Sequence, residues 1–148
     1  MTQNLDQWAT WCEIHSQPAI WRAWGAQLDV AGLRAWVAAQ SFDEVWFCGA
    51  GTSAYIGDII AAAVKCTRSV PTTDIVANPS HFLSGAKPLV VNFGRSGNST
   101  ESIGTLDALD AFAPHAPRIN ITCNKDGALA TRKSGAPTQV IVLPDATH

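Results

Sequence analysis

Two short stretches concentrate small hydrogen-bonding side chains next to glycine: Cys48-Gly49-Ala50-Gly51-Thr52-Ser53-Ala54 and Phe93-Gly94-Arg95-Ser96-Gly97-Asn98-Ser99-Thr100-Glu101. Serine and threonine hydroxyls, backbone N–H groups and a guanidinium are the donors that phosphate oxygens accept from. Gly49 and Gly51 let the backbone turn tightly and approach a ligand, and Gly97 permits a positive φ. Each stretch also has a purely structural reading. Asn98 followed by Glu101 reads as an N-cap with its capping-box partner, and Ser96 or Ser99 as turn residues. Turn chemistry explains either stretch alone; two such turns together are better explained by an anion site.

A dinucleotide turn is the sharpest competitor. Gly49-x-Gly51-x-x-Ala54 follows an expected strand and opens an expected helix, and Asp74 falls where a second strand would end, the place of a ribose-binding acid. That reading leaves the hydroxyl-rich second turn unexplained, and Thr52-Ser53 suit a phosphate better than close packing. Asp74 is read more simply as a strand-end cap. An NAD(P)-binding Rossmann domain is therefore the third alternative.

The elements that would hold these turns follow from the periodicity. Short apolar runs at Glu44–Cys48, Val70–Ile75, Pro88–Phe93, Arg118–Thr122 and Gln139–Leu143 predict strands. Helix-length segments near Ser53–Lys65, Ser80–Ser84, Asn98–Phe112 and Lys125–Ser134 separate them. Strands apolar on both faces and joined by crossover helices predict an α/β fold, a doubly wound five-stranded parallel sheet of the flavodoxin-like kind. In such a sheet the turns after the first and third strands flank the crevice where ligands bind. Two anion cradles would then converge on one ligand, each at a helix N-terminus whose dipole attracts negative charge.

Ahead of the first strand, residues 4–39 read as two or more helices, with Trp8, Trp11, Cys12, Ile14 and His15 on one face and Leu28, Leu33, Trp36 and Val37 on another. Pro18 is expected to start a helix, with Gly25 and Gly32 as punctuation. Five of the six Trp lie in this arm, more aromatic surface than it can bury against itself, so it is expected to pack on something else. The division expected is a helical N-terminal arm over residues 1–40 and a ligand-binding domain over residues 41–148, with a domain boundary after the fifth strand.

With 148 residues, 47% hydrophobic and 15% charged, the chain suits one globular core, and the low charge points to surface covered in an assembly. A balance of 10 Lys+Arg against 12 Asp+Glu gives no basic field for nucleic acid or anionic lipid. The apolar runs are too short to span a bilayer and the N-terminus lacks a signal-peptide pattern, so a cytoplasmic protein is expected. Cys12, Cys48, Cys66 and Cys123 show no C-x-x-C pair and no zinc-ligand spacing, and are read as reduced, mostly buried thiols.

The two turns resemble the paired signature loops of the sugar isomerase (SIS) domain family, usually G-x-G-T-S and S-x-S-G-x-T. Glu13-Ile14-His15-Ser16-Gln17-Pro18 is similar to the stretch that precedes many SIS domains of double-domain isomerases. Val70-Pro71-Thr72-Thr73-Asp74, Asn78-Pro79, Ile121-Thr122-Cys123-Asn124 and Pro144-Asp145-Ala146-Thr147-His148 resemble the group of tagatose-phosphate ketose/aldose isomerases and galactosamine-phosphate deaminase/isomerases. The resemblance implies that Ser53, Ser96 and Ser99 contact a sugar phosphate, with backbone help from Gly97, and that Thr52 lines the same pocket; Gly51 and Asn98 of the two turns are counted among the expected phosphate-binding residues as well. One position departs from the pattern: Gly94 stands where many relatives carry a serine, and Arg95 beside it either compensates by charge or faces solvent.

The same resemblance implies the first SIS domain of an aldose/ketose phosphosugar isomerase or amino-sugar-phosphate deaminase acting on a hexose or hexosamine 6-phosphate. It implies no metal and no organic cofactor. The acid/base groups of such enzymes come in part from beyond the first domain, so this chain is expected to act as a half, paired with itself in a homo-oligomer or with a second SIS domain. The catalytic residues stay unassigned; His15, His81, His115, His148, Asp58, Asp74 and Glu101 are the groups available. A non-catalytic phosphosugar-sensing module is the rival from another class.

Overall fold

The computed structural model describes residues 5–144 and residue 147. Its sheet has five strands, all parallel: β1 (Glu44–Gly49), β2 (Thr67–Ser69), β3 (Pro88–Phe93), β4 (Arg118–Thr122) and β5 (Thr138–Val142). The spatial order is β2-β1-β3-β4-β5. The α/β fold with a five-stranded parallel sheet is the one expected. Because the strands are apolar on both sides, both faces must be covered. On one face Trp46, Cys48 and Val90 pack against Ile75, Leu83 and Leu109. On the other, Leu89, Val91 and Ile119 pack with Phe47, Leu33, Trp36 and Val37. Each fully buried Leu or Val contributes about 1.5–3 kcal/mol, so the two layers together hold the strands in place and present their carboxyl ends as one rim.

The helices are α1 (Ala9–Gly25), α2 (Val30–Ala38), α3 (Thr52–Ala63), α4 (Thr72–Ala77), α5 (Pro79–Leu83), α6 (Thr100–Phe112) and α7 (Ala128–Thr131), with a 3-10 turn at Leu5–Gln7. α3 follows β1 and packs where Gly57 approaches Phe47, while α6 follows β3 and sends Leu109 into the opposite layer. The chain therefore leaves neighbouring strands β1 and β3 toward opposite faces, which opens a crevice at their carboxyl ends.

Three expectations need correction. Val70–Ile75 is not a strand: β2 ends at Ser69, and Thr72–Ala77 is helix α4. Pro71, with φ −54°, fits the entry to a helix, and Thr72 and Ile75 meet the core from one helical face, so tertiary burial overrides the β propensity of the run. Asp74 accordingly lies in the first turn of α4 and caps no strand. Pro18 does not start a helix; it sits inside α1, where its missing N–H removes one helical hydrogen bond. Gly25 ends α1 as expected, but Gly32 lies within α2, where its N–H donates to the capping Asp29 Oδ1 at 2.8 Å.

All four cysteines are free thiols, but only Cys48 and Cys123 are buried; Cys12 and Cys66 are exposed. The two arm helices behave differently. α2 lies on the sheet through Leu33, Trp36 and Val37, whereas α1 buries no residue and leaves Trp11, Ile14 and Trp21 exposed, with Trp8 exposed at its N-cap. Among the described residues no helix is long and apolar enough to cross a membrane.

Candidate functional site

At the carboxyl ends of β1 and β3 lies a cavity of about 830 Å³, between the starts of α3 and α6. The β1–α3 turn contributes Ala50, Gly51 and Ser53 to its wall. The β3–α6 turn contributes Arg95, Ser96 and Ser99, followed by Glu101 and Ser102 from α6. Cys123 and Asn124, just past β4, complete it.

The first turn is built on glycine for steric reasons. Gly51 has φ +55°, a conformation costly for any residue with a Cβ, and forms the N-cap of α3 without a side-chain hydrogen bond. A Cβ on Gly49 would lie 2.7 Å from the backbone carbonyl of Ser53. The turn thus brings the N-terminus of α3 to the cavity without a side-chain cap: Ser53 N and Ala54 N donate to Ala50 O at 3.2 Å and Gly51 O at 3.0 Å, and what the helix start offers there is the positive end of its dipole.

The second turn is capped differently from the sequence reading. The N-cap of α6 is Ser99, not Asn98: Ser99 Oγ accepts from Ser102 N at 3.2 Å and lies 3.0 Å from Ser102 Oγ. Asn98 instead accepts from Ala128 N through Oδ1 at 2.8 Å, which binds it to the start of α7. The Asn98–Glu101 capping box therefore does not form, and the Glu101 carboxylate, half-buried in the cavity wall, is not used as a cap. Gly97 has φ +64°, and Ser96 Oγ accepts from Asn98 N at 3.3 Å.

Of the residues singled out from sequence, Gly51, Ser53, Arg95, Ser96 and Ser99 line the cavity, and Thr52, Gly97 and Asn98 do not. Arg95 is exposed and makes no ion pair with the described residues. Sequence reasoning missed Ser102, Cys123 and Asn124 as wall residues. Ser102 sits three residues after Ser99, one helical turn on, and Asn124 follows the carboxyl end of β4; those two spacings were the signals that could have found them.

The ionisable groups sort by place. His15 stacks on Trp11 with ring centroids 3.8 Å apart, and His81 packs edge-on to Phe82 at 5.0 Å. His115 lies in a second cavity that also touches Pro88 and Pro117, at the amino ends of β3 and β4. None of the three lines the β1/β3 cavity, and His148 is outside the described residues, as are Asp145 and Ala146 of the terminal motif. Burial pushes the Cys48 thiol up to about 12, so it is a neutral packing group. Among the described residues no group of three or more His, Cys, Asp or Glu is placed to hold a metal ion. The dinucleotide reading loses its acid, because Asp74 stands on α4 beyond Pro71 and not at a strand end.

No family model matches the chain. It is 39% identical over 158 aligned residues to the D-galactosamine-6-phosphate deaminase AgaS of Escherichia coli, covering 94% of this chain and 40% of that protein. To the enzyme of the same name from Shewanella sp. (strain ANA-3) it is 36% identical over 150 residues, covering 92% of this chain and 39% of the relative. The crystal structure of tagatose-6-phosphate ketose/aldose isomerase from Escherichia coli superposes with a TM-score of 0.82 at 35% identity, over 92% of this chain and 40% of the other. A putative tagatose-6-phosphate ketose/aldose isomerase from Clostridium novyi NT superposes with a TM-score of 0.73 at 26% identity, over 90% of this chain and 37% of its own. The chain thus spans about two fifths of the length of the AgaS relatives it matches. With its sheet order, its two Gly-hydroxyl turns at the β1/β3 crevice and these relatives, the chain belongs to the sugar isomerase (SIS) domain family, in the group of the AgaS deaminases and tagatose-6-phosphate ketose/aldose isomerases.

Proposed function

We propose that this chain binds a hexose or hexosamine 6-phosphate in the β1/β3 cavity, as the first SIS domain of a phosphosugar isomerase or amino-sugar-phosphate deaminase. The observation that carries the reading is the convergence of two helix N-termini, three serines (Ser53, Ser96, Ser99) and Arg95, which makes no ion pair among the described residues, on one cavity. Each supplies hydrogen-bond donors or positive potential, and together they suit a dianionic phosphate ester. The names of the relatives supply the sugar.

In this reading the chain's part is to anchor. Holding the phosphate fixes the distant sugar carbons, so binding energy away from the reacting atoms orients ring opening and proton transfer between C1 and C2. Glu101 is the one carboxylate among the described wall residues and no histidine joins it, so a second SIS domain or a second copy of the chain supplies the remaining acid/base groups. Residues 1–40 serve as the helical arm and 41–148 as the SIS body. The same scarcity of acid/base groups supports the second reading, a phosphosugar-responsive module that binds without turnover.

Thermal unfolding with and without ligand tests the assignment. A ligand at a hundred times its Kd stabilises the native state by about 2.7 kcal/mol, which moves the melting temperature of a chain this size up by roughly 5–10 °C. A hexosamine 6-phosphate is expected to produce that shift and NAD none. A shift with NAD alone would overturn the reading.

A further inference from the structure

We infer that the loop after β4 is a positioning element for the second phosphate turn, and that Asn98, Thr122 and Asn124 act through it and not as phosphate ligands. The inference rests on the proposed phosphate reading of the same cavity. Three successive carbonyls of the second turn are held from one side. Arg95 O accepts from Cys123 N and from Thr122 Oγ1, each at 3.1 Å. Ser96 O accepts from Asn124 Nδ2 at 3.0 Å, and Gly97 O accepts from Leu129 N at 3.1 Å. Asn98 adds the fourth successive residue, its Oδ1 accepting from Ala128 N at 2.8 Å.

The consequence follows from the planar trans peptide, in which each C=O points opposite to the next residue's N–H. With the carbonyls of Arg95 and Ser96 turned to the β4–α7 loop, the N–H groups of Ser96 and Gly97 point away from it. Neither N–H has a backbone acceptor among the described residues. Two adjacent N–H groups freed in this way beside a residue of positive φ form an anion-binding concavity. The left-handed Gly97 is part of the same device.

The staple is itself braced. Thr122 Oγ1 also accepts from Asn124 N at 3.1 Å, and Asn124 Oδ1 accepts from Asp126 N at 3.0 Å, so the Asn124 side chain uses both ends of its amide. Gly127 has no room for a side chain, since a Cβ there would lie 2.6 Å from Ser96 O. Asn98 and Thr122 lie outside the cavity wall, and Asn124, which lines it, has both ends of its amide engaged by Ser96 O and Asp126 N. The Ile121-Thr122-Cys123-Asn124 motif thereby acquires a role: it keeps the turn's carbonyl oxygens, which would repel a phosphate, from rotating into the site.

Asn98→Ala and Asn124→Ala each remove one staple, and Asn98→Asp keeps the acceptor for Ala128 N. Amide NMR resonances of Ser96 and Gly97 are read without ligand, and inorganic phosphate and a hexosamine 6-phosphate are then titrated. Both alanine variants are expected to shift the two ligand-free resonances and to weaken both ligands roughly tenfold, with Asn98→Asp returning to wild-type resonances. Weakened binding with unchanged ligand-free resonances would make the two residues direct ligands and overturn the inference, as would unchanged resonances together with unchanged affinity. If the wild-type chain binds neither ligand, the phosphate reading fails, and the staple then stands or falls on the ligand-free resonances alone.

Discussion

Arg118, buried at the start of β4 with 1% of its side chain exposed, donates from Nη1 to Asp110 Oδ1 on α6 at 2.6 Å. Arg132 Nη2 lies 3.0 Å from the other carboxylate oxygen, and Ser134 Oγ donates to Oδ1 at 3.1 Å. One carboxylate therefore ties α6, β4 and the segment leading into β5 together.

Partial burial alone would raise the Asp110 pKa, but the hydrogen bond and charge of Arg118, with Ser134 and Arg132, outweigh it and hold the carboxyl below its ordinary value of 3.8. A depressed folded pKa contributes stability that is present above the unfolded value and is lost as pH falls through the folded one. Urea unfolding of the wild type should therefore weaken progressively below pH 3.8 through this group. Asp110→Asn should cost about 2–3 kcal/mol at neutral pH, because it leaves Arg118 buried without its counter-charge. It should also flatten that part of the acid profile; an unchanged profile would show that the ion pair is not coupled to folding.

Gly97→Ala should lower both stability and ligand affinity. The residue sits at φ +64°, and a Cβ would stand 2.9 Å from Thr122 Oγ1 and 3.3 Å from Leu129 Cβ. The backbone penalty alone is about 1–2 kcal/mol, read as a lower denaturation midpoint with the slope unchanged. A variant as stable as wild type would mean that the turn relaxes without cost.

Ser53 and Ser96 come from different turns and line the same cavity. Replacing both by Ala removes two hydroxyls without touching the hydrophobic layers, so the fold should persist by circular dichroism. Calorimetry should then show no detectable binding of a hexosamine 6-phosphate. Retained wild-type affinity would place the phosphate elsewhere.

Turnover of hexose and hexosamine 6-phosphates by this chain alone should be undetectable or far below ordinary enzyme rates. Among the described residues its cavity offers one carboxylate, Glu101, and none of the histidines His15, His81 and His115. General acid–base catalysis needs a group within hydrogen-bond reach of the proton it moves, and usually two such groups. Robust turnover would overturn this expectation, and Glu101→Gln would be the first variant to make.

Self-association through α1 is expected at micromolar concentration. Trp11, Ile14 and Trp21 are exposed on a helix that buries nothing, Trp8 is exposed at its N-cap, and α3 exposes Tyr55 and Ile59 besides. Light scattering of the full chain and of a variant beginning at Leu28 checks this. The full chain should be dimeric or larger and the shortened one less associated; a monomeric full chain would count against the arm as an interface.

Much of this molecule was written in its linear pattern. Apolar runs of strand length alternating with helices determined the parallel sheet, and Pro88–Phe93 and Arg118–Thr122 could be read off with their observed bounds because both are bracketed by turn residues. The two Gly-hydroxyl turns were legible jointly: turn chemistry accounts for either one alone, but two of them after the first and third strands flank one crevice. What tertiary structure decided was partnership. Val70–Ile75 has β-rich composition, yet Thr72 and Ile75 are buried from a helix because the core beside Leu83 and Leu109 takes them in that form. Asn98 looks like a cap or a ligand in sequence, but Ala128, at the start of α7, claims its oxygen. Asn124 lies 28 positions from Ser96 along the chain, and only the register of β4 beside β3 brings the amide to that carbonyl. Local propensity depends on neighbours in sequence, whereas these hydrogen bonds depend on neighbours in space, and the sheet is what converts one into the other.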